Sequence, residues 1–423
     1  MPGLQNPFRH QLPARSPLPP GALLEALGRT VGGLVSRRDD PRDDLVHLLC
    51  REYGVAGAVL TGSGTQALTL ALAHARRLLD DPEGDVGVAL PAYSCFDVAS
   101  AAVGAGLPVR FYDLDPRTLA PDPDSLEEAL QGNARIVVVA PLFGIPIDLE
   151  ALAPLLDAHG AVTVEDAAQG HGARLRGEPL GCRGHLGVLS FGRGKGWTGG
   201  AGGGVLLLRD EEVVRTLPSG ATEGSPASQP GAAGGSASIR SFAVAGALLA
   251  LARPSVYRIP RSLPFLGLGE THYREPQEPV GMARSAATVL LTAQARAGEE
   301  AGVRRHIGEE YRRVLAGAPN SGLVEVPAGG NAGYLRFPLR IPGGMEGFVS
   351  PRRARLLGAA PGYPKALPHL PQIAALLMEG EASRRWPGAG ELVDRLVTLP
   401  THGATRASER RELTSLVVRG EDA

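Results

Sequence analysis

From Asp44 the chain settles into a rhythm of apolar runs and amphipathic stretches. An unbroken run of aliphatic residues predicts a strand buried on both faces, and apolar residues recurring every three or four positions predict a helix. On that rule "GVAGAVLTGSGTQALTLALAHARRLL" is a strand, a glycine turn and a helix beginning near Thr65. "VGVALPAYS" is a strand running into a loop, followed by the helical "DVASAAVGAG" and the strand "PVRFYDLD". The apolar strand "ARIVVVAPLFG" leads to the helix "LEALAPLLDAHG" and the strand "AVTVEDAAQ". "HLGVLSF" and "GGGVLLLRD" supply two more strands on either side of a glycine-rich loop.

Strands alternating with helices in this way build a parallel or mixed sheet covered on both faces, so the expected class is α/β. The rhythm breaks at "PSGATEGSPASQPGAAGGSAS", Pro218–Ser238, whose composition is that of a flexible insert. Beyond it come the apolar helix "SFAVAGALLALAR", an irregular stretch to Val280 and a long helix from Ala283. "AGYLRFPLRI" and "LVDRLVTLP" are expected strands of a smaller α+β unit. The expected organisation is therefore an arm over 1–30, proline-rich and then helical, a large α/β domain over 31–280 with its insert near 218–238, and a smaller C-terminal domain over 281–423.

Composition narrows the function classes. The net charge of −1 carries no footprint for nucleic acid or an anionic membrane. The three cysteines, Cys50, Cys95 and Cys182, are too few and too scattered for a disulfide framework or a zinc site, which fits a reducing cytoplasm and predicts no metal. The first residues lack the apolar core of a signal peptide, and the longest apolar run, "FAVAGALLALA", is about half of what a membrane-spanning helix needs. Of 43 basic residues only two, Lys195 and Lys365, are lysines. A salt-bridging cation could be either residue type, whereas a nucleophilic amine cannot be arginine, because guanidinium stays protonated. Lys195, in "SFGRGKGWTGGAGGG", is thus a candidate nucleophile, with a solvated loop lysine as the plain alternative.

Loops beyond the carboxyl ends of strands are where α/β sheets gather their sites, and four such loops carry suggestive residues. "TGSGT" places Ser63, Gly64 and Thr65 at a helix start, where exposed N–H groups can hold an anion, although a capped glycine turn would read the same. "VEDAAQ" ends a strand in Glu165 and Asp166, and an acid there can cap a helix, bind a metal or face a ligand cation. "LSF" brings Ser190 within five residues of Lys195, and "PAYSCF" offers the aromatics Tyr93 and Phe96, which could equally be core. A phosphate-binding P-loop would need a glycine where Leu189 stands and a hydroxyl where Gly196 stands, and "GSGTQA" lacks the last glycine of a dinucleotide fingerprint. Pyridoxal 5′-phosphate suits all four loops: it asks for a lysine to hold it, an acid at its pyridine nitrogen, a phosphate cup and a flat contact.

At these residues the chain resembles the DegT/DnrJ/StrS family of sugar aminotransferases, which have the fold type I architecture. "SGTQALTLAL", "PAYSCFDVASAAVGAGLPVRFYDLDPRTL", "PLFGIPIDLEALAPLLDAHGAVTVEDAAQGHGA" and "GHLGVLSFGRGKGWTGGAGGG" follow the family's order and spacing, and "RWPGAGELVDRLVTLPTH" is similar to its closing motif. The resemblance implies a large domain with a mostly parallel central sheet and a smaller C-terminal domain. It implies catalytic roles for Lys195 and Asp166, and cofactor contacts from Ser63, Gly64, Thr65, Gln169 and Ser190. Where the family stacks an aromatic on the ring this chain has Cys95, so either Tyr93 or Phe96 takes that place or the stacking is weaker. The family's "G-x-N-x-R-M" segment is not recognisable between about 211 and 380.

The implied reaction transfers an amino group from an amino acid, glutamate by resemblance, to a keto group of a nucleotide-linked sugar in the building of polysaccharides or cell-surface sugars. A sugar dehydratase of the same fold typically replaces the lysine by histidine, and a catalytically silent relative is the third reading. Fold type I sites usually lie at a homodimer interface. The cup lacks a cation for the phosphate, so an arginine is expected from the partner chain, among Arg258, Arg261, Arg274 and Arg284, with Arg284 first. His171 is expected to be a solvated loop residue and His402 a structural one.

Overall fold

The computed structural model describes residues 11–35, 40–79, 86–200, 202–216, 246, 272–318 and 321–418. The insert expected near 218–238, and "FAVAGALLALA" apart from Gly246, lie outside the described residues.

Two helices, α1 (Pro20–Val35) and α2 (Pro41–Tyr53), precede the first strand, β1 (Gly57–Thr61). α2 starts sharply because Asp40 accepts a hydrogen bond from Arg42 N–H and Pro41 fills the first helical position, and it stops at Gly54, whose φ of 65° suits only a residue without Cβ. The α/β alternation then runs α3 (Gly64–Leu78), β2 (Gly87–Pro91), α4 (Phe96–Ala105), β3 (Val109–Tyr112), α5 (Pro123–Gln131), β4 (Ala134–Val139), α6 (Leu149–Ala158) and β5 (Val162–Asp166). Two short strands, β6 (Arg174–Leu175) and β7 (Glu178–Pro179), lead to β8 (Leu186–Ser190), β9 (Gly204–Leu208) and a short α7 (Glu211–Arg215).

Seven of these strands form one sheet in the order β1-β9-β8-β5-β4-β2-β3. From β8 to β3 the neighbours are parallel, and β9 runs antiparallel to both β8 and β1. The parallel strands are buried along nearly their whole length, which is why their sequences are continuous apolar runs without alternation.

The 32-residue helix α8 (Arg284–Leu315) serves two cores. Its first half puts Ala286, Ala287 and Leu290 in one core with α2 and with Leu189, Val205 and Leu207 of β8 and β9. Its second half puts Ile307, Tyr311 and Leu315 against Phe337 and Leu339 of a second, antiparallel sheet. That sheet has the order β10 (Gly322–Leu323), β12 (Phe337–Arg340), β14 (Leu396–Leu399), β13 (Ala360–Pro361), while β11 (Gly330–Asn331) pairs with β6. The sequence expectation of one strand over "LVDRLVTLP" is corrected: Pro387 opens a helix that runs to Arg395, and only Leu396–Leu399 is strand. Proline at the helix start and a face that buries Ala389 and Leu392 outweigh the short apolar run.

Among the described residues no helix is long and apolar enough to cross a membrane, and no cluster of His, Cys, Asp and Glu could hold a metal.

Candidate active site

The carboxyl ends of β5 and β8 and the amino end of α3 converge on one slot. Gly64, Thr65, Asp166, Gln169, Ser190 and Lys195 all line it, together with Cys95 and Asp97. These residues come from four separate loops, and the sheet order places β5 next to β8.

Ser63 caps α3 by accepting a hydrogen bond from Gln66 N–H (3.2 Å). The cap leaves the earlier N–H groups of the first turn directed out of the helix, as at any helix start. Gly64 is required by proximity: a Cβ there would lie 2.6 Å from Ser190 Cβ. The glycine thus lets the helix start and the strand end close onto the same small volume, with the Ser190 hydroxyl beside the helix N-terminus. That is a cradle for an anion.

Lys195 sits in the β8–β9 loop, a turn closed by its own N–H donating to Gly192 O (3.3 Å). The loop is braced from beneath: Trp197 is fully buried, donates from Nε1 to Leu290 O (3.0 Å) and packs edge-on against Phe191. Gly202 and Gly203 have φ of 138° and 141°, which returns the chain into β9.

Strand alternation separates the two acids at the end of β5. Asp166 faces the slot, where its Oδ1 accepts from Ala168 N–H (3.1 Å). Burial pushes its carboxyl up, and the Lys195 ammonium pulls it back toward the ionised form. Glu165 points to the other face, accepts from Arg183 N–H (3.0 Å), and burial pushes it up to about 7. Only Asp166 is placed for work in the slot.

Gln169 is anchored at both ends. Its Oε1 accepts from Phe143 N–H (2.9 Å) and its Nε2 donates to the Tyr363 hydroxyl (2.6 Å). Tyr363 stacks on Phe143 with ring centroids 6.2 Å apart. Sequence reasoning missed Tyr363, which comes from the far end of the chain and carries no local signal. It missed Asp97 as well, on the first turn of α4, where the Cys95 thiol donates to its Oδ2 (3.5 Å). Burial pushes the Cys95 thiol up to about 12, so it is a neutral thiol in the slot.

Neither Tyr93 nor Phe96 is placed where a flat contact was expected; Cys95 alone of that loop's three candidates lines the slot. Tyr93 is fully buried and its hydroxyl accepts from Tyr363 N–H (2.7 Å), while Phe96 lies in the apolar core as the first residue of α4. Tyr363 has claimed the Tyr93 ring, and the apolar core has claimed Phe96. His171 packs against Trp197 and burial lowers it to about 3, so it is a neutral support of the loop. His402 Nε2–H donates to Leu12 O (2.8 Å), a structural contact.

Of the candidate arginines, Arg258 and Arg261 lie outside the described residues. Arg284 lies 3.7 Å from Asp40 of its own chain and does not line the slot. Arg274 lines a wider cleft of about 450 Å³ that shares Thr65 and Asp97 with the slot and also touches Ser63. The exposed Lys365 is outside both cavities.

An amine, a buried carboxylate and a helix-start cradle with a hydroxyl, all lining one slot, fit a phosphorylated pyridine aldehyde. Comparison with known proteins agrees. Residues 40–230 match the DegT/DnrJ/EryC1/StrS aminotransferase family. The family resemblance read from the motifs stands, and the matched stretch contains the whole of the slot apart from its Tyr363 support. The chain is 38% identical over 164 residues to an L-glutamine:2-deoxy-scyllo-inosose aminotransferase of Streptoalloteichus tenebrarius, over 39% of this chain and 37% of that protein. It is 38% identical over 161 residues to a dTDP-3-amino-3,4,6-trideoxy-alpha-D-glucose transaminase of Streptomyces venezuelae, over 38% of this chain and 41% of that protein. The matched stretches thus span well under half the length of these relatives. Over 95% of both chains the fold is that of S. venezuelae DesV, solved with a ketimine intermediate, with a TM-score of 0.72 at 22% identity. The fold is therefore the family's fold type I architecture, a mostly parallel α/β sheet with a second, smaller sheet.

Proposed function

We propose that this protein is a pyridoxal 5′-phosphate-dependent aminotransferase that moves an amino group from an amino acid to a keto group on a sugar. The observation that carries this reading is the convergence of Lys195, Asp166, Ser190 and the α3 start on one slot. When bound, the cofactor supplies an electron sink for the pair released at the donor's α-carbon. The Lys195 amine would hold the cofactor through its aldehyde carbon and, when free, would serve as the base that moves the substrate's α-proton. Asp166 keeps the pyridine nitrogen protonated. The N–H groups of Gly64 and Thr65 and the Ser190 hydroxyl hold the phosphate, with Arg274 as its counter-charge. Gln169, fixed by Phe143 and Tyr363, lines the slot and would contact the bound ring.

The acceptor in this proposal is a nucleotide-linked keto sugar, with glutamate as donor. The Streptoalloteichus relative supports a second acceptor, a keto cyclitol aminated from glutamine. Retention of a lysine at 195 supports amino transfer over dehydration. The same proposal includes a cytoplasmic homodimer, on the family resemblance, and light scattering of the holoprotein would report about twice the chain mass.

Single-turnover mixing tests the reaction. Glutamate or glutamine should bleach the visible band of the lysine-bound cofactor, and a keto sugar nucleotide or keto cyclitol should restore it with an aminated product in the mass spectrum. No bleaching with any donor would favour a silent relative, and a deoxygenated product would favour a dehydratase.

A further inference from the structure

The proline-rich segment ahead of α1 is the one sequence feature that the site as described leaves unused. It runs from the C-terminal part of the chain, past the lysine loop, to α1, and each end is tied. At its start Gln11 is buried; its N–H donates to Leu356 O (3.0 Å) and its Nε2 to Ala404 O (2.9 Å) and Glu409 (2.7 Å). Leu12 O accepts from His402 (2.8 Å). At its far end Leu18 packs with Ala22 and Ala26 of α1 against Val289 and Ala293 of α8. Between these anchors the segment passes directly over the lysine turn, where Gly194 N–H donates to Ser16 Oγ (2.9 Å).

That contact falls at the residue before Lys195. Gly194 has φ of 75°, a left-handed conformation that favours glycine, and its N–H is given to the strap. Ser16 gives that N–H its hydrogen-bond partner, beside the 3.3 Å bond from Lys195 N–H to Gly192 O that closes the turn. Prolines at 13, 17 and 19 stiffen the strap, so little chain entropy is lost in holding the hydroxyl there.

We propose that Ser16 is a positioning residue for Lys195: its hydroxyl fixes the lysine turn, and the strap of residues 11–18 ties the setting of that amine to the C-terminal residues that anchor Gln11 and Leu12. The inference rests on the reading of Lys195 as the cofactor-holding amine. An amine in a fixed turn keeps one geometry toward the bound aldehyde, whereas a loosened turn lets it rotate and release the cofactor more readily.

The test uses the full-length holoprotein and three forms: wild type, Ser16→Ala and Ser16→Thr. For Ser16→Ala the cofactor dissociation constant, read by titrating the visible band, should rise about 5- to 10-fold, the usual worth of one hydrogen bond. Hydrogen exchange at residues 192–196 should accelerate by a similar factor, and kcat should fall with the KM for the donor unchanged. Ser16→Thr keeps the hydroxyl and should restore all three values to within about twofold of wild type. If Ser16→Ala differs from wild type by less than about twofold in both affinity and exchange, the inference is overturned while the function stands. Failure of Ser16→Thr to rescue assigns the effect to strap packing and also overturns it. A wild-type protein that carries no cofactor on Lys195 overturns the function and this inference together.

Discussion

Lys195 and Lys365 are the same amine set in two different regions, and the contrast between them shows what makes a reactive lysine. Lys195 lies between two strands of the large sheet, in a slot it shares with Asp166 and Ser190, on a loop braced by buried Trp197. Lys365 follows β13 of the second sheet and is exposed, although it stands two residues from Tyr363, whose hydroxyl takes the hydrogen bond of Gln169. One region supplies the amine and the other supplies a support, and neighbours rather than nearness along the chain divide those tasks.

The largest test of this contrast is substitution of each lysine. Lys195→Ala should lower kcat by about a hundredfold to ten-thousandfold, the range for loss of a proton-transferring group, while Lys365→Ala should stay within twofold. Initial rates on saturating donor and acceptor measure both.

The next test separates the two acids at the end of β5. Glu165 is raised to about 7 in the folded protein, so its contribution to stability is complete below its ordinary value of 4.5 and is lost as pH rises through 7. Ionising it in place should cost about 3 kcal/mol. Glu165→Gln should therefore flatten the decline in urea midpoint between pH 5 and 8, leaving cofactor binding intact. His171 has the opposite sign: lowered to about 3, it should drain stability as pH falls below 6.5.

Glycine substitutions probe the two regions, with the closer clash at Gly362. Gly64→Ala forces a Cβ to 2.6 Å from Ser190 Cβ and should cost about 1–3 kcal/mol of stability together with most cofactor affinity. Gly362→Ala drives a Cβ into the Tyr93 hydroxyl and should lose a similar stability with a smaller loss of affinity, because it displaces only the Tyr363 support. Equal affinity losses, measured by spectral titration, would dissolve the distinction between the regions. The smallest effect belongs to Tyr363→Phe, which removes one partner of Gln169 and should raise the cofactor dissociation constant about 5-fold.

The sheet, α3 and the Lys195 loop were legible in the sequence because their signals are local: apolar runs, a cap residue and glycines beside a lysine in a lysine-poor chain. Tyr363, Asp97 and Ser16 were not. Tyr363 meets Gln169 across 194 residues and Ser16 meets Gly194 across 178, and no periodicity encodes such pairings. Tyr93 and Phe96 show the converse limit. An aromatic in a loop beside a site has the right chemistry for the ring, but here Tyr93 is held by Tyr363 and Phe96 is buried in the apolar core, and neither lines the slot. The arginine was expected from a partner chain; within its own chain Arg284 lies against Asp40, and Arg274 lines the cleft that also borders Ser63 and Thr65. The insert near 218–238 has no structural counterpart to judge among the described residues.

Borohydride reduction of the yellow holoprotein, followed by peptide mass mapping, tests the central claim most directly. The account predicts a pyridoxyl group fixed on Lys195 alone, in the peptide after Arg193, and none in the Lys195→Ala protein. Cofactor fixed on Lys365, or on neither lysine, would contradict it.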